Sequence, residues 1–275
     1  MIVLGLSLLA LLGLAVGSFL NVVIYRVPNG RSIVAPPSAC PHCGNGIAWY
    51  DNIPVLSWLL LRAKCRNCGG PISVRYPLVE LGTGIFFVLV GAFFLPPVLA
   101  QSELAPLLGA ILALVFFLYL AAVSVALAMI DLDTHRLPNV ITYPAYIVAV
   151  VLLSASSILS GDLSALLPAA IGGAGLFVLY LIMALAYPGG MGMGDVKLAG
   201  VLGLSLAWLG WGELAVGAFA PFVLGGVFSI ALLLSRRAGR KSGIPFGPWM
   251  LAGAWVGIFV GRGVSAWYLG LFGLI

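Results

Sequence analysis

Long apolar runs dominate this chain and leave it few folds to choose from. They fall near residues 2–24, 78–98, 105–130, 140–158, 165–187, 197–212, 214–234 and 246–260, divided by charges, prolines and glycines. A helix needs about 20 apolar residues to cross roughly 30 Å of hydrocarbon. The pattern therefore predicts an all-α polytopic integral membrane protein with about eight transmembrane helices. The runs are continuous rather than alternating, so helices and not a β-barrel satisfy the backbone inside lipid. A mean hydropathy of +1.17 agrees, and residues 264–275 are too short for the pattern alone to assign as a further span.

Charge sets the expected orientation. The first run has no basic residue before it, and Arg26 and Arg31 follow it, so it reads as an anchor with its N-terminus outside rather than as a signal peptide. Threading the other spans from that start leaves only Arg262, of 13 basic residues, on the outer side. Such asymmetry is the positive-inside pattern. Basic loops facing an anionic inner leaflet also account for the pI of about 9.2, so no nucleic-acid partner is implied.

The one sizeable water-soluble segment, residues 26–77, carries all four cysteines, as Cys40-Pro-His-Cys43 and Cys65-Arg-Asn-Cys68. Two such knuckles predict one tetrahedral zinc ion held by Cys40, Cys43, Cys65 and Cys68. Gly44 and Gly69 follow the pairs and relieve the tight turns that a metal imposes. Disulfides do not suit a cytoplasmic segment, a thioredoxin-like pair needs a βαβ context, and His42 is an alternative ligand. The metal's expected role is to fold a segment too small to build its own core.

Only 8 of the 275 residues are acidic, and Asp131 and Asp195 stand beside apolar runs, in AMIDLDTHRLPN and GGMGMGDVKLAG. A carboxylate near hydrocarbon is costly unless paired, solvated or protonated, which makes both residues functional candidates. The threading places them, with Asp133, on the cytoplasmic face. Two neighbouring carboxyls share one proton near neutral pH: the ionised one can deprotonate water while the other donates to a carbonyl. Gly189, Gly190, Gly192 and Gly194 would permit a turn beside Asp195 and a close helix approach. The bland alternative is a set of interfacial acids paired with Arg136 and Lys197.

These segments converge on a family. GSFLNVVIYRVP at 17–28, CPHCG, YDNIPVLSWLLLRAKCRNCGGPISVRYPLVE at 50–80, DLDTHRLPN at 131–139 and GMGMGDVKLAG at 191–201 resemble, in that order, the bacterial type IV prepilin peptidases, relatives of the G-x-G-D intramembrane aspartic proteases. The resemblance implies cleavage of a short basic leader from prepilins or pseudopilins after a Gly, at the cytoplasmic face of the inner membrane, with Asp131 and Asp195 as the catalytic pair. It also implies N-methylation of the new N-terminus with S-adenosylmethionine. Arg75, Tyr76 and Glu80 are the candidate methyl-donor region, their alternative role being a juxtamembrane anchor. The implied organisation is a first transmembrane helix at 1–25, a cytoplasmic zinc-binding domain at 26–77 and a transmembrane peptidase domain at 78–275.

The insert carries six basic residues and one acid, Asp51, and four thiolates with one zinc leave it near about +3. It would not attract a basic leader. The prepilin's apolar helix is instead expected to dock between spans, with Asp131, Asp133 and Asp195 supplying a local negative field. The competing readings are a peptidase without methylation, a transporter using intramembrane acids, and a non-catalytic scaffold. Neither the oligomeric state nor the particular prepilin is encoded in these motifs.

Overall fold

The computed structural model describes residues 1–187, 190–235 and 245–273. Gly189 and the basic residues Arg236, Arg237, Arg240 and Lys241 lie outside the described residues. The described chain is helical: α1 (Ile2–Arg26), α2 (Leu56–Leu60), α3 (Arg75–Leu99), α4 (Leu104–Thr134), α5 (Asn139–Leu159), α6 (Leu166–Ala186), α7 (Met193–Leu209), α8 (Trp211–Leu234) and α9 (Gly247–Leu271). All of these except α2 and α7 are long and apolar enough to cross a membrane. The protein is a multi-pass membrane protein. At 17 residues, α7 would reach about 26 Å at 1.5 Å per residue, close to the thickness of the hydrocarbon.

Several boundaries shift by a few residues from the sequence pattern, α4 running on to Thr134, and those of α9 and α7 change the reading. Residues 264–271 do not form a separate tail, because α9 continues through them to Leu271 as one helix of 25 residues. Isolated glycines lower helix propensity without removing a backbone donor, so Gly261 and Gly263 do not end it. Helix α7 begins at Met193, ahead of the apolar run at 197, and so takes Asp195 into its first turn.

The helices divide into two compact units, Met1–Ser102 with Leu114–Ala126, and Glu103–Ala113 with Leu127–Ile275. In the first, α1 lies on α3 at backbone contact: a Cβ added to Gly13 would stand 2.8 Å from Gly84 Cα, and one at Gly17 2.7 Å from Glu80 Cα. Lipid tails are as apolar as Leu, so helices in a bilayer gain from such close packing rather than from burial alone. Phe94 and Phe117 stack in the same unit with centroids 4.2 Å apart.

The second unit uses the same device twice. Gly203 of α7 faces the carbonyl of Gly172 in α6, and a Cβ at Gly257 of α9 would stand 2.6 Å from Gly217 Cα in α8. Helix α5 is tied to α7 by the Tyr146 hydroxyl, which donates to the Lys197 carbonyl at 2.6 Å. The last turn of α4 belongs to the same unit as α5, α7 and α9.

Candidate active site

Asp131 sits in the last turn of α4, buried to 5% exposure. The helix stops just beyond it. His135 takes the left-handed conformation at φ 52°, its N–H donating to the Asp131 carbonyl at 2.9 Å, and Pro138 then precedes α5. Asp133, two residues on, is exposed, as helical geometry demands of residues that cannot share a face. The Asp131 side chain turns inward, and its Oδ2 accepts a hydrogen bond from the Gly247 N–H at 3.0 Å.

Asp195 occupies the third position of α7 and caps its own helix. Its Oδ2 accepts from the Gly192 N–H at 3.1 Å, and Gly192 itself is extended at φ −80°, ψ 148°. This satisfies one of the orphan donors at the helix start. Gly194 is helical, and its value lies in closeness: a Cβ there would stand 2.9 Å from Leu137 Cβ. Leu137 also lines Gly247, where an added Cβ would come within 3.3 Å of Leu137 Cδ2. One leucine from the turn after α4 thus touches the glycine beside each carboxylate, and Asp131 and Asp195 lie within electrostatic reach of each other.

Among the described residues neither carboxylate forms an ion pair. Lys197, the nearest cation in sequence to Asp195, directs its Nζ to Asn139 Oδ1 at 3.0 Å and lies 5.2 Å from the Tyr143 ring centroid. The interfacial ion-pair reading for Asp195 with Lys197 does not fit this geometry. Each acid is instead held by a backbone N–H, of Gly247 for Asp131 and of Gly192 for Asp195.

The four cysteines come together in the first unit. The Sγ atoms of Cys40, Cys43, Cys65 and Cys68 lie within 4.8 Å of one another, and Cys40 Sγ is 3.8 Å from Cys68 Sγ. A tetrahedron with Zn–S bonds of about 2.3 Å has edges of about 3.8 Å, so the donor set fits a four-thiolate metal centre. The two knuckles repeat one design: the backbone carbonyls of Cys40 and Cys65 accept from the N–H of Gly44 and Gly69, both at 2.9 Å, and both glycines have positive φ, 72° and 70°. The N–H groups of Cys43 and His42 draw the Cys40 thiol down to about 6, favouring the thiolate that a metal requires. His42 packs by its ring against Gly70 and is not part of the metal-ligand cluster. Arg66 locks the module through a bidentate contact with Asp51, at 2.6 Å for the shorter bond, and Trp58 Nε1 donates to the Ile72 carbonyl at 3.1 Å.

Arg75, Tyr76 and Glu80 follow the module at the start of α3, and the structure does not present them alike. Tyr76 is exposed and Arg75 half-buried, while Glu80 is 8% exposed. Glu80 Oε2 accepts the Val55 N–H at 2.7 Å, with the Ser18 hydroxyl on the same carboxylate. Val55 stands at φ 61°, ψ −48°, a region that a β-branched residue rarely enters.

Comparison with known proteins then decides the family. A model of the bacterial peptidase A24 N-terminal domain matches residues 11–94, and one of the type IV leader peptidase family matches residues 118–230. The prepilin leader peptidase/N-methyltransferase of Aeromonas hydrophila is 37% identical over 96% of this chain and 93% of its own length. The chain belongs to the type IV leader peptidase family. Family members bearing that same name in Myxococcus xanthus and Pseudomonas aeruginosa are 43% and 32% identical, over 85% and 94% of this chain and 65% and 91% of their own. No solved structure matches the chain. The first family segment contains the cysteine cluster and Glu80, and the second contains Asp131 and Asp195.

Sequence reading did not single out Leu137, Asn139, Val55 or Gly247, whose contacts with the candidate residues the structure shows. Only Gly247 carried a local signal, since Gly-Pro ahead of an apolar run marks a helix start.

Proposed function

We propose that this chain is a bifunctional prepilin peptidase and N-methyltransferase, cleaving the basic leader from prepilins or pseudopilins after a Gly with Asp131 and Asp195 as its catalytic pair. The observation that carries the reading is the two carboxylates in one compact unit, each bonded to a backbone N–H and neither in an ion pair among the described residues. Two such groups hold one proton between them. The ionised member takes a proton from water, the water oxygen attacks the scissile carbonyl carbon, and the protonated member donates to the carbonyl oxygen. Collapse of the tetrahedral intermediate breaks the C–N bond, and the proton passes to the departing amine.

The four-thiolate cluster is assigned one structural zinc ion, held by Cys40, Cys43, Cys65 and Cys68. With every ligand position filled by sulfur, such an ion folds the module and takes no part in cleavage. S-adenosylmethionine, when bound, supplies an electrophilic methyl group for the new N-terminal amine. The Tyr76 ring, exposed at the module's edge, suits a cationic sulfonium, and Arg75 and Glu80 complete the candidate region, with Glu80 acting from behind by holding the Val55 turn.

The charge asymmetry supports an inner-membrane location with the N-terminus outside and the zinc module and carboxylates facing the cytoplasm. Mass spectrometry of a prepilin incubated with the detergent-solubilised protein and S-adenosylmethionine tests both activities. Leader loss plus one added methyl group is the expected product; a pilin left intact contradicts the reading.

A further inference from the structure

We infer that Gly247 is a positioning residue for cleavage: its backbone N–H, at the start of α9, fixes the Asp131 carboxylate, and only glycine leaves room for that carboxylate to sit there. This inference rests on the proposed role of Asp131 in the dyad. The hydrogen bond spans 116 positions in the chain, is 3.0 Å long and is buried. Gly247 is the first residue of α9, so its N–H has no acceptor within the helix and would be orphaned without Asp131. The helix dipole adds positive potential at the same point.

Steric evidence is independent of the hydrogen bond. A Cβ at residue 247 would stand 2.7 Å from Asp131 Oδ2 and 3.2 Å from its Cγ. The carboxylate is on a short side chain rooted in the last turn of α4, so it cannot yield as the tip of a long side chain would. Leu137 closes the other side at 3.3 Å, and Leu137 in turn abuts Gly194 beside Asp195. A side chain at 247 therefore displaces Asp131, or pushes Leu137 toward the turn that carries Asp195.

The donor is itself held in place. Phe246, preceding α9, packs on Phe222 and Tyr180 with centroids 5.5 Å and 6.4 Å apart, and Pro248 fixes the following φ. The N–H is thus preorganised before substrate arrives, leaving Asp131 Oδ1 for water and for the proton shared with Asp195.

The test measures leader-cleavage kinetics for wild type, Gly247→Ala, Asp131→Asn, and a protein with the 246–247 amide replaced by an ester through incorporation of glycolic acid. The ester removes the N–H and adds no atom. Thermal unfolding of the detergent-solubilised protein, together with methyl transfer to a pre-cleaved pilin peptide, reports that each variant is folded. The expected result is a kcat lower by about 10²-fold in Gly247→Ala with KM and methyl transfer unchanged, and a smaller fall in kcat for the ester. Wild-type kcat in either variant overturns the inference, as does a parallel fall of cleavage and methyl transfer in the ester, which would mark Gly247 as merely structural. Should Asp131→Asn still cleave, the dyad reading fails first; should Asp131→Asn be inactive and Gly247→Ala normal, only the positioning role fails.

Discussion

The Val55 N–H donates to Glu80 Oε2 at 2.7 Å across 25 positions of chain. This bond ties the segment ahead of α2 to the buried face of α3 while Val55 holds a positive φ of 61°. Removing the carboxylate leaves a partly buried N–H unpaired, at a cost of about 1–3 kcal/mol, and releases a turn whose backbone is strained. Glu80→Ala is therefore expected to depress methyl transfer while leader cleavage, proposed for Asp131 and Asp195 of the other unit, stays near wild type. Val55→Gly, which relieves the φ penalty, should keep methyl transfer. Separate mass-spectrometric readouts of leader loss and methylation check both.

The cysteine cluster predicts one zinc ion per chain and a defined pH response. Metal binding requires thiolates, so affinity falls as pH falls, and most steeply below about 6, where Cys40 too is protonated in the metal-free module. Cys43→Ser is expected to abolish stoichiometric zinc. Zinc content by atomic absorption after equilibration across a pH series measures both effects.

Asp51 supplies a second pH term of known sign. The Arg66 hydrogen bonds hold its carboxyl below the ordinary range, so the pair stabilises the module above that range and the contribution is lost as pH falls through the lowered value. Exposure of Arg66, at 54% for its side chain, keeps the effect small. In Asp51→Asn the acid side of the module's thermal-stability profile should flatten, while stability near pH 7 falls only slightly.

The α5–α7 clamp predicts a graded effect on cleavage. Tyr146→Phe deletes the hydroxyl that donates to the Lys197 carbonyl at 2.6 Å, a loss of about 1 kcal/mol. Asn139→Leu removes the acceptor of Lys197 Nζ. Each is expected to lower kcat several-fold, because Asp195 stands in the turn they hold, and the double variant should be worse than either. Steady-state kinetics on a prepilin peptide provide the comparison.

Most of the architecture was legible because the signals are local. Apolar runs gave the long helices, Cys-x-x-Cys with a following Gly gave the two knuckles, and the scarcity of acids singled out Asp131 and Asp195. Boundaries were read less well where physics is permissive. The 264–271 segment looked too short alone, yet it continues α9, and the first turn of α7 starts on Met193-Gly194 rather than on an apolar run. What sequence did not show are contacts between distant segments: Leu137 between Gly194 and Gly247, Lys197 on Asn139, Val55 on Glu80. No periodicity records which backbone N–H meets which carboxylate.

The central claim is that Asp131 and Asp195 act as one unit. The most direct test is leader cleavage by Asp131→Asn, Asp195→Asn and the double variant, each checked for folding by thermal unfolding and by methyl transfer to a pre-cleaved peptide. Loss of cleavage by about 10²-fold or more in each single variant, with no further loss in the double and methyl transfer retained, is the predicted result. Cleavage persisting in either single variant would contradict the account.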